Sequence, residues 1–68
     1  MYIAAGSKWR HKKRGSTYEV VGTAKLQATD VGGFSDMQPM IVYRGTDGQL
    51  WVRPTDEFED GRFEPVNA

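Results

Sequence analysis

From Thr17 to Gln27 the chain alternates with a period of two. Tyr18, Val20, Gly22, Ala24 and Leu26 fall on one side of an extended strand, and Thr17, Glu19, Val21, Thr23, Lys25 and Gln27 on the other. This is the pattern of a half-buried β-strand, and no segment is long enough or suitably spaced to supply the helix of an α/β unit. The small residues Gly22 and Ala24 mark a point where this strand can bend sharply or where another backbone approaches it.

The remaining segments read as shorter strands around it. Trp9 and His11 alternate with Lys8, Arg10 and Lys12, giving a first strand that ends at Arg14-Gly15-Ser16. Ala28 to Asp36 has loop composition, with Gly32-Gly33 and one large apolar residue, Phe34. Gln38 to Arg44 carries Met40 and Val42 on one face and Ile41 and Tyr43 on the other, which suits a central strand. Gly45-Thr46-Asp47-Gly48 favours a tight hairpin turn into a fourth strand, Gln49 to Arg53, where Leu50 and Val52 oppose Trp51 and Arg53. Pro54 ends that strand, and Thr55-Asp56-Glu57-Phe58 fits one helical turn, with Thr55 as N-cap and two acids where the helix dipole favours them. After Asp60-Gly61, Arg62 to Val66 predicts a short fifth strand holding Phe63.

This order is that of a small SH3-like five-stranded barrel, all-β, with one short helical turn before the last strand. Sixty-eight residues allow one domain, expected over 8–66 behind a flexible N-terminal segment at 1–7. A chain this short buries only about 60% of the surface its unfolded form exposes, so a second copy covering an open strand edge is a natural way to gain stability. With no cysteine, disulfides, thiol nucleophiles, iron–sulfur clusters and zinc fingers are excluded. The longest apolar run, Met40 to Tyr43, is far too short for a membrane span, and the N-terminus lacks the basic and apolar regions of a signal peptide. The expected setting is the cytoplasm.

The nine basic and nine acidic residues cancel in number but not in place. Residues 1–25 sum to +5, residues 26–55 to −1 and residues 56–68 to −4. The run Lys8-Trp9-Arg10-His11-Lys12-Lys13-Arg14 is the kind of patch that neutralises phosphates. The competing reading is that the acidic end folds across this strand and pairs with it, since chain termini often lie close together.

Four pieces carry a family resemblance: Trp9-Arg10-His11-Lys12, Tyr18-Glu19-Val20-Val21-Gly22-Thr23-Ala24, Ile41-Val42-Tyr43-Arg44 and Leu50-Trp51-Val52-Arg53-Pro54. Together with Phe58 they resemble a short bacterial and phage family of unknown function with the pattern (Tyr/Trp)-Arg-His, Tyr-Glu-Val, Val-Val-Tyr, Leu-Trp-Val-Arg-Pro. The resemblance spans residues 8–58 and implies one β domain of bacterial or phage origin. It carries no activity, and the chain departs from the pattern in its basic Lys12-Lys13-Arg14 and its long loop Thr29 to Asp36.

No nucleophile elbow, phosphate loop or zinc motif is present, and His11, the lone histidine, has no cysteine or histidine with which to build a metal site. A non-catalytic binding module with no cofactor is expected. The candidate ligand residues are Trp9, Arg10, His11, Lys12, Lys13, Arg14, Tyr43, Arg44, Trp51 and Arg53. Guanidinium forks bind phosphate through paired hydrogen bonds, and Trp9 or Tyr43 would stack a base, so the leading ligand is nucleic acid or a nucleotide. The alternative is a protein-interaction module, binding a peptide or a second copy through its aromatic residues or an open strand edge. Asp56, Glu57, Glu59 and Asp60 read as a solvated acidic turn.

Overall fold

The computed structural model describes residues 3–27 and 37–66. Five strands, β1 (Lys8–His11), β2 (Thr17–Lys25), β3 (Pro39–Gly45), β4 (Leu50–Pro54) and β5 (Phe63–Pro65), form one antiparallel sheet in the order β4-β3-β2-β1-β5. A short helix, α1 (Thr55–Glu59), joins β4 to β5. The fold is therefore mostly antiparallel β-sheet. No β4–β5 pairing closes it into a barrel among the described residues. No helix there is long and apolar enough to cross a membrane. The Ala28 to Asp36 loop, with Phe34, lies outside the described residues.

The two hairpins turn where glycine permits. Gly15 (φ 76°) closes the β1–β2 turn, its N–H donating to the His11 carbonyl at 2.7 Å. Gly48 (φ 86°) closes the β3–β4 turn, where the Gln49 N–H is also held by Asp47 Oδ1 at 3.0 Å. The helix starts one residue earlier than the capping pattern suggests. Pro54 is its N-cap residue and no side chain caps it, so Thr55 is the first helical residue. What holds so short a helix is burial of Phe58.

One break in β2 decides which side chains face the core. Val20 pairs with Tyr43 but Gly22 pairs with Val42, so Val21 is the extra residue of a β-bulge. The face headed by Tyr18 and Val20 therefore does not continue through Gly22 and Ala24. Beyond the bulge Thr23 takes the side of Ile41. The bulge supplies the bend beside Gly22, and among the described residues a Cβ added at Gly22 would meet nothing within 4 Å.

The core is a single cluster of Ile3, Trp9, Val20, Ile41, Tyr43, Phe58 and Phe63, with Tyr18 packed against it. Phe58 stacks on Phe63 at 4.2 Å between centroids, and Trp9 meets Phe58 edge-on at 5.4 Å. Ile3 belongs to this cluster, and Gly6 N–H donates to the Val20 carbonyl at 2.8 Å. The packed unit thus reaches back to Ile3, into the segment expected to be a flexible lead.

Candidate functional site

The register sorts the candidate residues onto two faces, because paired residues in an antiparallel sheet point the same way. Lys8, Glu19, Arg44 and Leu50 align across four strands on the outer face, where Lys8 Nζ lies 3.7 Å from Glu19 Oε2. Arg10 is also outside, opposite Glu64, and its guanidinium donates to Glu64 Oε1, the Nε contact being 2.8 Å. Arg10 and Arg44 thus face away from Arg53, which pairs with Ile41 on the core side. Arg10, Arg44 and Arg53, all expected to contact one ligand, are therefore split between the two faces of the sheet.

Two aromatic candidates are unavailable as stacking surfaces. Trp9 is 4% exposed, with its indole N–H donating to Ser7 Oγ at 2.9 Å. Tyr43 is equally buried, and only its hydroxyl reaches a candidate base, accepting from Arg53 Nε at 3.3 Å. Both rings serve the core because their strand positions alternate inward. Trp51, by contrast, is 48% exposed and lines a depression of about 190 Å³ with Ser16, Thr17, Tyr18, Gly45, Thr46 and Asp47.

A different set of bases does converge. His11, Lys13, Arg14, Arg53 and Arg62 line an open depression of about 600 Å³ at one end of the sheet. The β1–β2 turn supplies Lys13 and Arg14, β4 supplies Arg53, and the residue before β5 supplies Arg62. The Lys12 N–H donates to the Arg62 carbonyl at 2.9 Å, which ties the turn to the start of β5, while the Lys12 side chain stays outside the depression. The Arg53 guanidinium lies over the Phe63 ring at 5.6 Å, a cation–π contact that holds it at the rim.

The acidic segment neutralises part of this cluster. Glu57 Oε1 lies 3.5 Å from Arg53 Nη1 and 3.4 Å from Arg62 Nη1, and Asp60 Oδ2 is 3.0 Å from Arg62 Nε. No carboxylate pairs with Lys13 or Arg14 among the described residues. Self-pairing thus takes Arg10, Arg53 and Arg62 but leaves the tip of the β1–β2 turn unopposed.

His11 reports the resulting potential. Its pKa is lowered from the ordinary 6.5 by burial first, then by Arg14, Arg53, Arg62 and Lys13. Its ring meets Phe63 edge-on at 4.9 Å, and its Nδ1 accepts the Arg14 backbone N–H at 3.2 Å. That acceptor role requires an unprotonated Nδ1, so the geometry and the positive surroundings favour the same neutral ring.

Arg62 also lines this depression, although it was not among the expected ligand residues. It sits among five acids in residues 56–68 and reads as a locally neutralised charge. The one available signal was Asp60-Gly61, a turn that returns Arg62 beside the basic first strand once β5 pairs with β1.

No curated protein and no solved structure matches the chain. A family model does match, over residues 7–64, and it covers every residue lining the basic depression. The chain belongs to the DUF1653 family, proteins of unknown function.

Proposed function

We propose that this domain is a non-catalytic binding module for a phosphate-bearing ligand, a nucleic acid or a nucleotide, held in the depression of His11, Lys13, Arg14, Arg53 and Arg62. The observation that carries the reading is the convergence of these bases from three parts of the chain, with no carboxylate among the described residues pairing with Lys13 or Arg14. Arg53 and Arg62 are pre-positioned by Glu57, Tyr43 and Phe63, so little side-chain entropy is lost when they add a second hydrogen-bonding fork. Among the described residues no Trp, Tyr or Phe lines the depression, which favours recognition of the phosphate over a stacked base.

The SH3-like barrel belongs to the same proposal. Its support is the approach of Arg53 on β4 to Phe63 on β5, which draws the two ends of the sheet together with α1 between them. A cytoplasmic setting and a bacterial or phage origin complete the reading.

The test is binding of a labelled single-stranded oligonucleotide, ATP and inorganic phosphate at 50 and 200 mM salt. Affinity should fall with salt, and Lys13→Ala with Arg14→Ala should weaken it and reduce the oligonucleotide salt slope by about 1.4. No binding of any of the three at low salt, or binding that the double variant leaves unchanged, would refute the proposal.

A further inference from the structure

We infer that β4 is a self-association edge, at which a second copy of this chain adds its own β4 in antiparallel pairing. β4 ends the strand order, and among the described residues β3 is the one strand that pairs with it. Gly45 N–H donates to the Gln49 carbonyl at 2.9 Å, and the antiparallel alternation that follows turns Trp51 and Arg53 toward β3. The N–H and C=O groups of Leu50 and Val52 are then directed to the open side.

Edge strands ordinarily carry a lysine, a bulge or an interior proline that discourages pairing. None interrupts Leu50-Trp51-Val52, whose residues are 51%, 48% and 58% exposed. The opposite edge is protected differently: β5 has only three residues and ends in Pro65.

The edge is complementary to itself. With Trp51 opposite Trp51 of the second copy at a two-fold axis, Leu50 of each copy pairs with Val52 of the other. That register forms four backbone hydrogen bonds, in two of which the Leu50 carbonyl exchanges the Gln49 side-chain amide that it accepts from at 3.1 Å, and it sets the three exposed apolar side chains against cross-strand neighbours. Arg53 then faces Gln49 of the second copy, so no like charges oppose each other, and Arg53 keeps its contacts with Glu57 and Tyr43. A two-fold interface of this kind closes at a dimer.

The half-exposed side chains offer roughly 700 Å² in total from the two copies, less than the ~1,200 Å² at which interfaces become stable. The dimer is therefore weak and concentration-dependent. Lys13 and Arg14 lie outside the paired segment, and association does not depend on phosphate binding.

Sedimentation equilibrium between 5 μM and 1 mM tests this directly. The mass should rise from 7.7 kDa toward twice that value. Val52→Lys should hold it at the monomer with an unchanged far-ultraviolet circular dichroism spectrum. Leu50→Lys is the independent second variant and serves if Val52→Lys fails to fold. A monomer throughout, assemblies growing beyond two copies, or association that a folded lysine variant leaves intact would each overturn the inference.

Discussion

Arg53 and Arg62, nine positions apart in sequence, share one carboxylate oxygen, Glu57 Oε1, at 3.5 and 3.4 Å. The helical turn between β4 and β5 therefore does more than fill space over the core. Its inward residue, Phe58, anchors it, and its outward residue, Glu57, holds two guanidiniums of opposite sheet ends at one rim.

Removing that carboxylate should strengthen anion binding. Glu57→Gln leaves one more uncompensated positive charge, worth about 1 kcal/mol or roughly fivefold in oligonucleotide affinity at low salt. The exposed ion pairs it breaks contribute little, so stability should change by less than about 1 kcal/mol. Fluorescence anisotropy with urea unfolding checks both, and weaker binding would mean that Glu57 positions the arginines more than it masks them.

The two faces should behave differently. Arg10→Ala and Arg44→Ala remove outer-face charges and should leave phosphate affinity within about twofold, whereas Arg14→Ala should reduce it several-fold. Isothermal titration with inorganic phosphate and a nucleotide separates them. Equal losses at all three positions would point to diffuse surface charge rather than a site.

His11 should make stability pH-dependent in a known direction. A lowered folded-state pKa means the unfolded chain takes up the proton first, so this contribution is complete above about pH 6.5 and is lost as pH falls through the folded value. Melting temperature should therefore drop between pH 7.5 and 5.5, and less so in His11→Gln. Bound phosphate offsets Arg14, Arg53, Arg62 and Lys13 and should raise the His11 pKa, which an NMR titration reads directly.

Phe58→Ala should unfold the domain. Phe58 is 1% exposed and contacts Trp9, Tyr43 and Phe63, so the cavity costs about 3–5 kcal/mol, comparable to the total stability of a domain this small. Val52→Ala, on an exposed face, should cost under about 0.5 kcal/mol. Loss of near-ultraviolet circular dichroism in the first variant but not the second is the expected result.

Strands, turns and the helical turn were readable from the chain because each rests on local chemistry. Period-two alternation marks β2, Gly48 and Gly15 permit the hairpins, and Pro54 ends β4. The unequal distribution of charge was equally plain. Which charges meet was not, because that depends on pairing between distant residues. The bulge at Val21 reassigns the faces of β2, the β1–β5 register sets Arg10 against Glu64 and His11 beside Phe63, and the Asp60-Gly61 turn returns Arg62 to the first strand. A one-residue shift in a strand moves a side chain to the other face. Which bases gather was therefore decided only by tertiary structure, which places His11, Lys13, Arg14, Arg53 and Arg62 around one depression and Trp9 and Tyr43 in the core.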